Sequence, residues 1–462
     1  MTLIKSISGI RGTIGGAVNE GLTPLDAVKF AAAYGTWLQA NHSGKKIKVV
    51  IGRDARISGQ MISDLVIATL IGLGIDVVNL GLSTTPTVEI AVPMENAQGG
   101  IILTASHNPK QWNALKLLNE KGEFISGDEG TKVLALAESE AFNFAEVDDL
   151  GVLTTDDTYC QKHIDAVLAL PLVNVEAIKK ADFHVVVDAV NSTGGIFIPA
   201  LLKALGVNKI EELYCDPTGH FPHNPEPLPE HLTDLSDKIK ETKADVGITV
   251  DPDVDRLALV CEDGSMFGEE YTLVACADYV IRHTPGATVS NLSSTRALRD
   301  VTEAAGQLYT AAAVGEVNVV AKMKETNAVI GGEGNGGIIY PASHYGRDSL
   351  VGVALFLSLL AEKKMKVSEL RDSYPRYTIS KNKIQLTPDL DVDAILKKMA
   401  EKYAHCEVDT IDGVKIYIEK EWVHLRKSNT EPIIRIYSES KNEEAAQNLA
   451  KKIMAEIMEI AG

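Results

Sequence analysis

The chain has 462 residues, 45% hydrophobic and 23% charged, with a formal charge of −18 at pH 7. That length exceeds one hydrophobic core and calls for several domains, and so acidic a total argues against nucleic acid, whose phosphates demand a basic surface. No apolar run is long enough to cross a bilayer and the opening MTLIKSISGIRG lacks the apolar core of a secretory signal, so the expectation is a cytoplasmic protein without a membrane partner. The five cysteines, Cys160, Cys215, Cys261, Cys276 and Cys406, are odd in number and contain no CxxC pair. They read as reduced core residues rather than a disulfide or zinc framework. An anionic ligand would need positive charge gathered locally.

In chain order, LTPLDAVKFAAAYGTWLQAN reads as a helix with Thr23 at the N-cap and Pro24 at its first position. Three segments then open alike, IKVVIGRDARISG (47–59), FHVVVDAVNSTGG (183–195) and ATVSNLSSTRALRD (287–300), each an apolar or β-branched run entering a polar turn. Each predicts a strand that begins a βα unit. Each is followed by a second run that ends in an unusual loop: GGIILTASHNP (99–109), ADVGITVDPDVDR (244–256) and NAVIGGEGNGG (327–337). After residue 373 the pattern changes to a helix, a hairpin-like stretch and a last helix, as in a small α+β domain. The expected fold is α/β, with domains over 1–155, 156–260 and 261–372 and an α+β domain over 373–462. Open α/β sheets bind ligands at the carboxyl ends of their strands, which places the unusual loops around one cleft.

In the first loop Ser106 stands beside His107, with Lys116 further on. A serine hydroxyl is a poor nucleophile unless a base or a cation assists it; alternatively Asn108 and Pro109 simply set a capping turn. Asp251, Asp253 and Asp255, spaced by two, offer the hard oxygens that Mg²⁺ prefers. With Glu262 they also match positions 1, 3, 5 and 12 of an EF-hand, but Arg256 stands where that loop needs glycine and the flanks read as strands. A haloacid-dehalogenase-like phosphatase with Asp251 as nucleophile is the enzymatic alternative. The third loop surrounds Glu333 and Asn335 with glycines, which suits either sugar hydroxyls or a plain glycine-rich hairpin. In RKSNTEPIIR, Arg426, Ser428, Asn429, Thr430 and Arg435 could cradle a phosphate dianion. Arg11 and Arg53, each in a glycine-containing turn, add local positive charge.

TASHNP, DPDVDR, GEGNGG and RKSNTEP, in this order over essentially the whole chain, resemble the α-D-phosphohexomutase superfamily. The resemblance implies three related mixed α/β domains and a TATA-binding-protein-like last domain around a central cleft. It also implies that Ser106 carries a phosphoryl group and that Asp251, Asp253 and Asp255, with a phosphoserine oxygen, hold Mg²⁺. By the same resemblance Glu333 and Asn335 bind the sugar, while Arg426, Ser428, Asn429, Thr430 and Arg435 bind phosphate. Lys116 takes the proton-transfer position, eased toward neutrality by neighbouring cations, and Arg11, His107 and Arg256 take active-site positions.

The expected reaction exchanges hexose 6-phosphate and hexose 1-phosphate through a hexose bisphosphate. Glucosamine phosphate is the first choice of sugar, with glucose or mannose phosphate as the alternative; a non-catalytic sugar-phosphate binder is the rival outside enzymes. The chain departs from the family pattern at Ala114, at Glu226 in the proline loop GHFPHNPEPLPEHL (219–232), and at GEGNGG, which ends without a histidine. His344 is the nearby candidate for that missing ring. A monomer or homodimer is expected.

Overall fold

In the computed structural model the run KVVIGR is the strand Lys48–Arg53, buried on both sides: Val49 and Ile51 join one hydrophobic cluster and Val50 joins another. Burial of both faces is what gives a parallel strand its continuous apolar run. The structure describes residues 2–6, 9–385, 390–427 and 433–461. They fall into two units, Met1–Thr272 with Gly336–Ser368, and Leu273–Asn335 with Glu369–Gly462.

In the first unit a seven-stranded sheet has Lys48–Arg53 between the parallel strands Asp76–Leu82 and Gly99–Leu103. The chain then turns back: Trp112–Leu118 pairs antiparallel with Gly99–Leu103 and with Gly9–Thr13. Phe30, Tyr34 and Leu38 of the helix Pro24–Asn41 cover one face, and Val88, Ala91 and Val92 of the helix Thr85–Met94 cover the other. Thr23 and Asp26 cap the first of these helices reciprocally, as LTPLD led one to expect.

A four-stranded sheet repeats the plan. His184–Asp188 lies parallel to Val246–Val250, which turns back into the antiparallel Leu257–Cys261. The serine loop and the triple-aspartate loop therefore occupy the same place, each connecting a buried strand to its antiparallel neighbour. Strands flank the aspartates on both sides, so the loop is not an EF-hand.

In the second unit Thr288–Asn291 runs parallel to Tyr309–Ala312 and to Ile330–Glu333, the strand that leads into GEGNGG. The last sheet is antiparallel throughout its five strands. The helices Val392–Lys402 and Glu443–Ala461 bury Ile395, Leu396, Met399, Ile453 and Ile457 against it. Its strand Thr378–Gln385 had no place in the sequence reading: charged and polar residues interrupt TISKNKIQ, and only pairing with Ile433–Ser440 makes it a strand.

Candidate active site

The serine loop is held from beneath by a residue that the sequence reading passed over. Arg56 is 1% exposed and pairs with the fully buried Asp54 at 3.0 Å. Its Nη1 donates to the carbonyls of Pro109 and Trp112, and its Nη2 to those of Ser106 and Asn108. One guanidinium thus replaces the backbone partners that a tight loop lacks. Thr104 adds a side-chain bond to Asp54 and receives one from the Ser106 amide. Ser106 itself has φ +48°, a left-handed conformation that costs energy in a non-glycine residue and is characteristic of functional loops. Arg53, the other arginine of GRDAR, turns instead to Gln60 and the Asp54 carbonyl.

Ser106 Oγ donates to Asp251 Oδ2 at 2.6 Å and lies 3.3 Å from His107 Nδ1. Asp251, Asp253 and Asp255 are fully buried, and one oxygen from each lies within 4.8 Å of the others. Lys116 Nζ reaches Asp253 at 2.7 Å and Asp255 at 3.4 Å. Arg11 sits opposite Ala114 on the neighbouring strand, diagonal to Lys116. Ala114, where the family pattern changes, is buried there.

Burial and the two neighbouring carboxylates push Asp251 well above the ordinary carboxylate range. For Asp253 burial also works against the charge, but Lys116 and Thr85 prevail and hold it low. Burial and the nearby Arg256 push His107 down to about 2, so its ring is neutral at ordinary pH.

These groups fit a divalent cation. Asp251 uses one oxygen on Ser106 and the other on the amides of Asp255 and Arg256. Asp253 Oδ1 and Asp255 Oδ1 are buried without a hydrogen-bond partner. Buried carboxylate oxygens left in that condition are costly unless a cation completes them.

Two further residues grip the aspartate loop and were not singled out from sequence. Thr85 Oγ1 donates to Asp253 Oδ2 at 2.5 Å, and Arg347 Nη2 donates to Asp255 Oδ2 at 2.7 Å. Arg256 reaches Glu226 at 3.3 Å, which gives the atypical glutamate of the proline loop a partner. His344 turns its ring nitrogens to Asp348 and Glu89, at 3.0 and 3.4 Å.

In the second unit, Glu333 Oε1 accepts from Asn291 Nδ2 at 2.8 Å and from the Gly315 amide at 3.0 Å. Ser294 Oγ accepts the amide of Gly334. Asn335 is half-buried. Arg426 and Arg435 are direct cross-strand partners, and Lys383 faces Arg435 on the next strand. Like charges in such register repel, and Asp412, 2.9 Å from Arg426 Nε, offers a counter-charge. Ser428, Asn429 and Thr430 lie outside the described residues.

The four successive domain models of one family cover this chain. Residues 4–144, 161–264 and 268–377 match alpha/beta/alpha domains I, II and III of phosphoglucomutase/phosphomannomutase, and 381–456 match its C-terminal domain. The chain belongs to the phosphoglucomutase/phosphomannomutase family. It is a phosphohexomutase, an isomerase of the α-D-phosphohexomutase superfamily, and the phosphatase and binding-protein alternatives give way to that.

Among its relatives, a phosphoglucomutase/phosphomannomutase of Thermococcus kodakarensis is 37% identical over 94% of the mutase chain and 95% of its own length. A phosphoglucosamine/phosphogalactosamine mutase of Sulfurisphaera tokodaii is 33% identical over 96% and 97%. The crystal structure of a phosphoglucomutase/phosphomannomutase family protein from Burkholderia thailandensis superposes with a TM-score of 0.85 at 27% identity, covering 100% of this chain and 98% of that one. Among the described residues no helix is long and apolar enough to cross a membrane.

Proposed function

We propose that the mutase interconverts hexosamine 6-phosphate and 1-phosphate, with glucosamine phosphate as substrate, through a phosphorylated Ser106 and a hexose bisphosphate. The reading rests above all on Ser106 Oγ, 2.6 Å from the first of three buried aspartates. A phosphoryl group on Ser106 adds roughly two negative charges, and Lys116, Arg256 and Arg347 stand in the same unit to offset them. Asp251, Asp253 and Asp255, with an oxygen of that phosphoryl group, would hold Mg²⁺, which when bound supplies Lewis-acid screening of the transferring group.

In the forward half-reaction the bond from phosphorus to Ser106 Oγ breaks while one forms to the free sugar hydroxyl. That hydroxyl loses its proton and Ser106 Oγ gains one, Lys116 carrying it between the two oxygens. The bisphosphorylated sugar then turns over, and its other phosphoryl group returns to Ser106. Glu333 and Asn335 bind sugar hydroxyls. Arg426, Arg435 and the loop of Ser428, Asn429 and Thr430 grip the phosphate that is not transferring. Phosphoryl transfer demands chiefly this positioning and charge stabilisation. His107, neutral beside Ser106, orients the serine rather than charging the site, and Arg11 neutralises the approach from the neighbouring strand.

The choice of glucosamine is supported by the relative named phosphoglucosamine/phosphogalactosamine mutase and by those of Methanopyrus kandleri and Pyrococcus horikoshii named probable phosphoglucosamine mutase. The 37% identity to the Thermococcus protein keeps glucose and mannose phosphate as the second reading. Coupled assays with glucosamine 6-phosphate, glucose 1-phosphate and mannose 1-phosphate rank the sugars. Intact-mass measurement should find one phosphoryl group on the parent chain and none on Ser106→Ala, which should not turn over. Parent-like turnover by Ser106→Ala would overturn the scheme. We place the enzyme in the cytoplasm.

A further inference from the structure

The aspartate loop is gripped from two sides by parts of the chain that are distant in sequence. On one side Thr85, at the start of its helix, takes Asp253 through both Oγ1 and its amide. On the other, Arg347 holds the Asp255 carboxylate and the Ser349 amide donates to the carbonyl of Val254. Between these contacts Val254 has φ +65° and is fully buried. A β-branched residue in the left-handed region persists only where its surroundings over-determine it.

The two grips are joined by one side chain. His163, on the helix Tyr159–Leu168, is 0% exposed. Its Nδ1 lies 2.8 Å from Thr87 Oγ1, two residues from Thr85, and its Nε2 lies 2.9 Å from Asp348 Oδ2, between Arg347 and Ser349. Thr87 is bonded in turn to the N-cap Thr84, and Asp348 caps the helix Ser349–Lys363. His344, whose other ring nitrogen faces Glu89, braces the same carboxylate from the side.

We propose that His163 is a positioning residue for the metal loop: a strut that fixes the separation between the Thr85 grip on Asp253 and the Arg347 grip on Asp255. Its own bonds go to Thr87 and Asp348 and to none of Asp251, Asp253 and Asp255. Outer partners of metal ligands set affinity by holding the ligands in one arrangement, and their loss typically weakens metal binding by roughly 10- to 100-fold. The proposal deepens the reading of the aspartates as a Mg²⁺ site and rests on it.

The test is calorimetric titration of Mg²⁺ into the full-length, metal-stripped chain. His163→Phe removes both bonds while keeping the volume filled, and should raise the Kd for Mg²⁺ by roughly tenfold or more. His163→Gln breaks the Nδ1 side alone, since the glutamine amide still reaches Asp348, and Thr87→Val breaks that side together with the hydroxyl bond to Thr84; each should weaken binding to a lesser degree. Combining Thr87→Val with His163→Phe should weaken binding by less than the product of the two single effects, because the two share the bond between Thr87 and His163. If His163→Phe fails to fold, the Thr87→Val and His163→Gln titrations carry the test. Variants with a lowered Tm and the parent Kd would overturn the strut while leaving the metal site standing. A parent chain that binds no Mg²⁺ would overturn both.

Discussion

Lys116 Nζ lies 2.7 Å from Asp253 Oδ2, on a carboxylate that is fully buried. Burial works against the ammonium, but Asp253 and Asp255 outweigh it and raise its pKa above the ordinary lysine range. The sequence suggested the opposite, a lysine neutralised by nearby cations. Arg347 does act in that direction, more weakly than the two aspartates. In this arrangement Lys116 begins as the ammonium, so as a proton carrier it must give a proton before it can accept one.

Replacing Lys116 with methionine should therefore cost more than activity. It takes from Asp253 the cation that pairs with it, while Asp255 keeps Arg347, and an uncompensated buried charge costs about 3–5 kcal/mol. Urea unfolding in the absence of divalent cations should show that loss. Lys116→Arg should recover much of the stability and little of the turnover, because the proton no longer leaves.

Arg56 should be as sensitive as any residue that meets the substrate. Arg56→Met removes the donors to four loop carbonyls and leaves Asp54 buried and unpaired. A destabilisation of about 3–5 kcal/mol is expected, with loss of kcat as Ser106 loses its orientation. Arg56→Lys should fail to rescue kcat, since one ammonium cannot span the same carbonyls.

Asn291 orients the proposed sugar-binding carboxylate. Removing its amide from Glu333 should cost about 1.5–3 kcal/mol, the worth of a hydrogen bond to a charged group. Asn291→Ala should lower kcat/KM by roughly 10- to 100-fold, and steady-state kinetics on each hexose phosphate would reveal it. Asn291→Asp should be worse, because it sets two carboxylates against each other.

The row Arg426, Arg435 and Lys383 should govern phosphate affinity. Arg435→Gln should raise KM for the sugar phosphate with a smaller effect on kcat, and should flatten the dependence of KM on salt. Lys383→Gln should do the same more mildly. Both follow from initial rates at several ionic strengths.

His424 makes stability depend on pH. Burial, with Lys415 and Arg426 nearby, pushes it down to about 4 from its ordinary 6.5. Between those values the unfolded chain binds more protons than the folded one, so stability is complete above about 6.5 and falls as pH drops toward 4. At most about 3 kcal/mol is lost across that window. His424→Gln should give a shallower decline in urea midpoint between pH 7 and pH 4.

Much of the fold was legible because it is written in local signals. Thr23 and Pro24 mark a helix start, the β-branched run of KVVIGR marks a strand buried on both faces, and the DPDVDR carboxylates lie so close in the chain that any tight turn brings them together. Thr378–Gln385 was not legible, since its strand character comes from a partner some fifty residues away. Arg56 and Arg347 look like ordinary surface cations in GRDAR and GRDS. Nothing local shows that each will be buried against an aspartate.

The sequence by itself determined the kind of chemistry on offer: a serine, three hard carboxylates and a set of arginines, the serine and the carboxylates each in a loop at the carboxyl end of a strand. Only the tertiary structure decided the electrical state and rigidity of that chemistry. Whether Lys116 is charged, whether His107 is neutral, and what keeps Val254 in its left-handed turn all depend on burial and on groups brought from elsewhere in the chain. Those energies arise from distances through a water-poor interior, and distance in space is what a linear order of residues leaves open.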